Sequence, residues 1–519
     1  MTQLKFQPSD VPDGGMKTFE IGEQKVLITR DGNDCRAYDA LCPHAGADLG
    51  QGVRCGVRVI CPWHHATFHA ASGALIEPPA LEELKRYAVR QEGESYTVDL
   101  DAEVPTSPPE PVGNDTDHTV IVGGGAAGFM VAQTLRAGGY AGRITLLTRE
   151  ARAPYDRTAL SKAYLSGKKP SDKLALGGPE WAQEHQIDLR ENVLAERLDR
   201  QTKTLHLSGG ETLNYDQVLV ATGGTPNTLK VPGAELEGVY PLRSFKEAEA
   251  LKTAAQGKHL VIIGASFIGL EAASSLVGEG GAASVTVVGQ DAEVLTKAVT
   301  ARVGRALRSL HEDKGVVFHL NAEVVRLDGQ GRVEAVILKD GKRLDADVVL
   351  LGIGVKPNAA LLADLADEKG AVSVDGTLHA APDVYALGDI ALAPSVLGNF
   401  RVEHWRVALQ HGMAAAQHIL QSPDQEPTSA RVPFFWTQQY GKSLRSVGHA
   451  EKLDDTHVWG EPENLKFIEF AFEDGRTVAA SGMGRDAELA AFDELLRQGR
   501  APTPAELRAG EFGLAERLE

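Results

Sequence analysis

Twice in this chain an apolar run ends in a glycine-rich turn and is followed by an amphipathic stretch. Thr119-Val120-Ile121-Val122 leads into Gly123-Gly124-Gly125-Ala126-Ala127-Gly128, a helical pattern to about Ala137, and a second apolar run, Ile144-Thr145-Leu146-Leu147. About 140 residues later, His259-Leu260-Val261-Ile262-Ile263 leads into Gly264-Ala265-Ser266-Phe267-Ile268-Gly269, a helix pattern and Val285-Thr286-Val287-Val288. Strand, glycine turn, helix, strand is the βαβ unit of a parallel sheet covered by helices on both faces. Two such units predict two Rossmann-like α/β domains.

The glycine spacing also carries chemistry. The first glycine permits the tight turn, the second lets backbone approach a pyrophosphate, and the third packs helix on strand. The helix N-terminus then faces the diphosphate. Gly123, Gly125 and Gly128 fill these places in the first unit, and Glu150, 22 positions on, is placed to accept from a ribose hydroxyl. In the second unit Gly264 and Gly269 flank Ser266, which replaces the middle glycine. The ribose-reading position is Gly289, beside Gln290 and Asp291, and no lysine or arginine follows until Lys297. The missing cation favours NADH over NADPH.

The N-terminal hundred residues read differently, as short strands such as Val26–Thr29 and Val57–Ile60 separated by Gly, Asp and Asn. All four cysteines lie there, at 35, 42, 55 and 61, and none follows. Cys42-Pro43-His44 and Cys61-Pro62-Trp63-His64 are separated by sixteen residues, each supplying one thiolate and one imidazole. A Rieske [2Fe-2S] centre needs two cysteines on one iron and two histidines on the other. A zinc site is a competing reading, but zinc patterns group Cys with Cys and His with His; two unrelated Cys/His pairs are the other. Cys42, His44, Cys61 and His64 are therefore the candidate ligands. Cys35 and Cys55 read as small buried residues, His65 and His69 as surface or structural histidines.

Between these regions, Asp101–Asp117 carries Pro105, Pro108, Pro109 and Pro111 without hydrophobic periodicity. In polyproline geometry such a linker spans roughly 50 Å. The expected division is an all-β domain over 1–100 and a linker over 101–117. Two α/β domains follow, over 118–242 with 373–430 and over 243–372, and then an α+β domain over 431–519. With 519 residues, three or four domains are in proportion. Lys plus Arg total 53 against 71 Asp plus Glu, a net charge of −18 that repels nucleic-acid backbones and anionic lipid. No run approaches the ~20 apolar residues of a membrane span, and Met1–Asp10 lacks a signal-peptide pattern. The expectation is a cytoplasmic protein without membrane insertion.

Residues 117–430 resemble the FAD-dependent pyridine-nucleotide oxidoreductases, including the ferredoxin reductases of aromatic-ring dioxygenase and P450 systems. With its Rieske domain, the whole chain resembles the apoptosis-inducing-factor-like Rieske oxidoreductases. The stretches that carry this are 154–162 (PYDRTALSK), Ala221-Thr222-Gly223-Gly224, Gly352-Ile353-Gly354-Val355-Lys356-Pro357-Asn358, Val384-Tyr385-Ala386-Leu387-Gly388-Asp389 and Glu403-His404-Trp405. The resemblance implies FAD at the first glycine turn, with Ala221, Thr222, Gly223 and Gly354 lining it. Arg157 would contact its diphosphate, Asp389 its ribityl chain, and Lys162 the region of N5. Glu271 would orient the nicotinamide, and Trp405 and Trp436 would lie beside the isoalloxazine. Plainer readings are a solvated lysine at 162 and a core tryptophan at 436. High-potential Rieske proteins carry a loop disulfide and a serine and tyrosine facing the cluster. Ala47, Trp63, Ala66 and Phe68 stand in those neighbourhoods here, so the domain resembles low-potential Rieske ferredoxins.

These expectations compose one reading. NAD(P)H reduces FAD, FAD reduces the tethered cluster, and the cluster serves a protein acceptor such as an oxygenase or P450. Because no cysteine follows Cys61, disulfide reduction at the flavin is excluded. Two other classes stand beside it: a flavin NADH oxidase or quinone reductase with the Rieske domain as docking module, and a redox-sensing binding protein. A homodimer is compatible with the sequence, and the acceptor is unnamed by it.

Overall fold

The apolar run ending at Val122 forms the strand His118–Val122, buried along its whole length, as a parallel sheet covered on both faces requires. It lies third in a sheet ordered Ile187–Arg190, Arg143–Leu147, His118–Val122, Gln217–Val220, Val384–Ala386 and His379–Ala381. The first five strands run parallel and the last is antiparallel. The second unit centres on His259–Ile263 in a wholly parallel sheet, ordered Val239–Pro241, Val348–Leu351, His259–Ile263, Ser284–Val288 and Val317–His319. The computed structural model describes residues 3–278, 281–422 and 427–518. Met1, Thr2 and Glu519, at the ends of the first and last expected domains, lie outside these, as do 279–280 and 423–426.

The boundaries shift at three places. Val239–Pro241 pairs with Val349–Leu351, so the second α/β sheet takes a strand from the stretch expected to belong to the first. Val372 pairs with Ala391 and so belongs with the returning segment. The strand Ser95–Glu103 runs three residues into the expected linker. Ladder pairing, which composition does not report, is the cause in each case.

The first domain holds a six-stranded antiparallel sheet and a four-stranded one, the latter made of Val53–Cys55, Arg58–Ile60, Thr67–His69 and Leu75–Glu77. The last domain is a five-stranded antiparallel sheet ordered Phe434–Gln439, Lys442–Gly448, Arg476–Met483, Lys466–Glu473 and Asp455–Glu461. The helix Asp486–Arg497 packs Leu489, Phe492 and Leu495 into its core. That core also contains Val53 and Ile60 of the first domain, so the two ends of the chain share one hydrophobic cluster. Burying each of those side chains contributes about 1.5–3 kcal/mol. The linker lies along the first α/β domain, where Val112 N–H donates to the Gly139 carbonyl (2.9 Å) and Ala141 N–H to the Val112 carbonyl (2.8 Å).

Beneath the first sheet the helices Ala126–Ala137 and Trp405–Ile419 cross closely. A Cβ at Gly412 would stand 2.4 Å from the Ala127 carbonyl oxygen and 2.9 Å from Met130 Cβ. Since the first obstacle is backbone, Gly412→Ala is expected to cost about 1–3 kcal/mol by overpacking, read as a lowered thermal midpoint.

Candidate functional site

Two short loops of the first domain fold alike. Cys42 N–H donates to the Ala47 carbonyl (2.8 Å) and Gly46 N–H to the Cys42 carbonyl (2.8 Å). In the second loop Cys61 N–H donates to Ala66 (2.9 Å) and His65 N–H to Cys61 (3.2 Å). Each turn aims one sulfur and one imidazole at the other loop. His44 Nδ1 and His64 Nδ1 stand 3.1 Å apart, and the buried thiols of Cys42 and Cys61 touch. That contact and burial push the Cys42 thiol up. The backbone amides of His44 and Ala45 face the Cys42 sulfur, and those of Trp63 and His64 face Cys61.

Burial lowers His44, and burial followed by the neighbouring His44 brings His64 down to about 2. Both imidazoles are therefore neutral, the form that ligates metal. Two facing ring nitrogens beside two thiols fit the donor set of a two-iron Rieske cluster. Cys35 is buried and Cys55 half-buried, the latter near Gln498 Nε2 (3.1 Å) and the Leu518 carbonyl (3.7 Å). His65 is fully buried, with Nδ1 2.6 Å from Asp493 Oδ2.

The loops rest on the C-terminal sheet. The Trp436 indole lies 4.7 Å from the His64 ring and 6.2 Å from His44, centre to centre, with His404 edge-on at 4.5 Å. Trp436 is thus buried, as in the plainer reading, yet buried against the expected ligands. Strand alternation does the rest, since neighbouring side chains point to opposite faces. Phe434 and Trp436 meet His65 and His64, whereas Phe435 meets Phe267 and Thr437 donates to Glu271 Oε1 (2.8 Å). Glu271 Oε2 in turn accepts from Ser161 Oγ (2.5 Å) and Lys162 Nζ (2.9 Å). Lys162 is thus held in an ion pair rather than free in solvent. Trp405 begins the helix Trp405–Ile419 and packs, half-buried, against the C-terminal core.

Both glycine turns have the shape of a phosphate cradle. At Gly123 (φ +119°) a Cβ would stand 2.3 Å from the Ala221 carbonyl oxygen, and at Gly128 one would stand 2.0 Å from that of Gly123. Gly125 faces open space and precedes the helix Ala126–Ala137, whose first amides have no intrahelical partner. Glu150 accepts from Arg157 and from Tyr155 Oη (2.8 Å). Burial raises the Glu150 carboxyl, and the Arg157 charge more than offsets this. Across the cradle Asp389 pairs with Arg243 (2.5 Å) beside Gly223, and Thr222 Oγ1 donates to the Asn358 carbonyl (2.6 Å). The pairing of Gly224–Pro226 with Val355–Pro357 brings Gly354 to the same edge. In the second turn Gly264 and Gly269 repeat the close contacts, at 2.3 Å from the Gly352 oxygen and 2.2 Å from the Gly264 oxygen. Ser266 caps the helix Phe267–Leu276, accepting from Gly269 N–H (3.4 Å) while donating to Gly352 O (2.7 Å).

Sequence reading missed the residues that seat the first domain. Glu77 accepts from Arg58 Nη2 (2.5 Å) of its own domain, and from Arg406 Nη2 (3.0 Å) and Gln410 Nε2 (2.7 Å) of the long helix. Arg406 also donates to the carbonyls of Pro78 (3.1 Å) and His65 (3.2 Å). Arg445 Nε donates to the Trp63 carbonyl, and Arg58 reaches Glu494 at 3.2 Å. No local pattern marks partners more than 300 positions apart.

Known proteins align with each region. The family models for pyridine nucleotide-disulphide oxidoreductase, the Rieske [2Fe-2S] domain and the reductase C-terminal domain match residues 117–412, 2–88 and 434–518. Apoptosis-inducing factor 3 of Homo sapiens is 34% identical over 511 residues, 95% of this chain and 83% of that protein. The ferredoxin–NAD(+) reductase component of the biphenyl dioxygenase system of Paraburkholderia xenovorans is 34% identical, over 73% of this chain and 93% of its own. Among solved structures, the covalent putidaredoxin reductase–putidaredoxin complex superimposes with TM-score 0.73 at 30% identity, covering 78% of this chain and 98% of the other.

Burial raises the Glu77 carboxyl, but Arg58, Arg406 and Arg431 outweigh it and hold it well below its ordinary 4.5. A depressed folded value means stability that is present above pH 4.5 and lost as pH falls toward the folded value. Glu77→Gln is expected to lose about 3–5 kcal/mol at neutral pH by stranding buried guanidinium charge. Its thermal midpoint should also fall less steeply on acidification than that of the parent.

Proposed function

The chain belongs to the pyridine nucleotide-disulphide oxidoreductases and adds a Rieske domain, and we propose that this oxidoreductase moves electrons from NADH to its own [2Fe-2S] cluster and on to a protein acceptor. One observation carries the reading. The strand Phe434–Gln439 touches His64 through Trp436 on one face and Glu271 through Thr437 on the other.

In this reading Cys42, Cys61, His44 and His64 hold the cluster. Gly123, Gly125, Gly128, Glu150, Arg157, Ala221, Thr222, Gly223, Gly354 and Asp389 hold FAD. Bound there, FAD would supply the exchange between a two-electron hydride donor and one-electron carriers, of which the [2Fe-2S] cluster would be one. The chain supplies position and charge. The first amides of the helix Ala126–Ala137 face the diphosphate, and Arg157 adds a cation beside it. Lys162, fixed by Glu271, would offer its ammonium to the flavin, and Trp405 and Trp436 would serve as apolar walls. Gly264, Ser266 and Gly269 cradle the nicotinamide dinucleotide, and the cation-free stretch Gly289-Gln290-Asp291 supports NADH as donor. With no cysteine beyond Cys61, no dithiol can take electrons at the flavin.

What the relatives' names say they serve, dioxygenase systems and putidaredoxin, makes an oxygenase-type protein the proposed class of final acceptor. Anaerobic NADH titration, followed by visible absorbance and low-temperature EPR, is expected to bleach the flavin and raise a Rieske signal at catalytic rate. A fully assembled cluster that stays oxidised while flavin bleaches would turn the reading to direct flavin chemistry. His64→Ala should lose the Rieske spectrum and the reduction of one-electron protein acceptors, while NADH still bleaches the flavin. Steady-state kcat/KM should favour NADH over NADPH by about tenfold or more, the 2′-phosphate finding no cation.

A further inference from the structure

One buried cation of the C-terminal domain enters the cluster loop. Arg445 stands on the strand Lys442–Gly448, its side chain 4% exposed. Its Nε donates to the Trp63 carbonyl, on the peptide that joins Trp63 to His64. Its Nη1 pairs with Asp486 Oδ1 at 2.6 Å. The two charges are unequally placed, since Asp486 keeps 29% of its side chain in solvent. Water screens the carboxylate more than the guanidinium, so the loop feels a net positive field. The charges facing His44 are Asp156 and Lys169, themselves paired at 3.7 Å.

We propose that Arg445 sets the reduction potential of the cluster, raising it while the first domain is seated on the C-terminal sheet. The proposal rests on the Rieske reading above. Reduction adds one electron, drawn from the pair NADH supplies, and breaks no bond, leaving the site one unit more negative. A guanidinium buried beside the Cys61–His64 loop stabilises that added charge, and its hydrogen bond to the Trp63 carbonyl fixes the loop against Trp436. By linkage, whatever makes the seated cluster easier to reduce makes the reduced cluster sit more firmly.

The test is an anaerobic potentiometric titration of the full-length protein, read by the Rieske EPR signal, for the parent, Arg445→Gln, Arg445→Lys and Asp486→Asn. Arg445→Gln keeps a donor for the Trp63 carbonyl and removes the charge. It should weaken the reduction equilibrium about tenfold, ~59 mV for one electron. Arg445→Lys, which keeps the charge, should move the potential by less than half as much. Asp486→Asn unmasks the guanidinium and should shift the potential upward. Unchanged potentials in both Gln and Asn variants, or shifts of the same sign, would overturn the proposal. If Arg445→Gln assembles no cluster, Asp486→Asn decides alone: an upward shift supports the proposal, none refutes it. A parent protein without a Rieske signal would instead refute the Rieske reading itself.

Discussion

Glu77 is a carboxylate taken out of water, and the assembly around it follows from what that costs. Removing an ion from water is penalised by several kcal/mol even after relaxation, and one partner rarely repays it. Arg58 answers from the same domain, but Arg406 and Gln410 come from the helix of the reductase body. Lifting the first domain away would leave Glu77 with a single cation and expose Val53 and Ile60, which lie in the C-terminal core. Polar and apolar terms therefore act in the same direction. The linker has the reach to let the domain swing, yet it too is tied down at Val112. The first domain is seated, and the seat brings its imidazole-bearing loops to one particular strand.

That strand, Phe434–Gln439, solves a geometric problem with the simplest device a sheet has. Two neighbourhoods must lie close without merging: the cluster loops, which want neutral imidazoles, and the Lys162–Glu271 pair, which is charged. Alternation puts Phe434 and Trp436 on one face and Phe435 and Thr437 on the other. The indole of Trp436 and the half-buried His404, lowered to about 3 by desolvation and then by Lys162, form an uncharged layer between them. A register slip of one residue would exchange the faces and place a threonine against the histidines.

Legibility in the sequence tracks how local each constraint is. The glycine turns and the Cys-Pro-His loops are readable because a turn of a few residues needs particular side chains at fixed spacing. The strands they predict, at 119–122, 144–147, 259–263 and 285–288, appear within one residue of those bounds. Val239–Pro241 is misplaced in the reading because three residues carry no period, and only its partner Val349–Leu351 tells which sheet it joins. Ser266 reads only as a replacement for the middle glycine, whereas its hydroxyl caps a helix and holds the Gly352 carbonyl, a role visible only with both partners in place. The Glu77–Arg406 contact, 329 positions apart, has no local signature at all.

Net charge gives the fusion its physical sense. A chain at −18 would oppose the approach of any separate carrier of like charge. Covalent attachment removes the encounter step. A flexible tether alone would raise the local concentration to about millimolar. The Glu77 network goes further, because a seated domain has no search to perform. What the seat leaves open is the far side of the loops: Leu41 and Trp63 remain 43% and 40% exposed beside the expected ligands. On the proposed path through the Trp436 face, these loops would keep a second, solvent-facing edge, and the first domain would not need to detach to serve a partner.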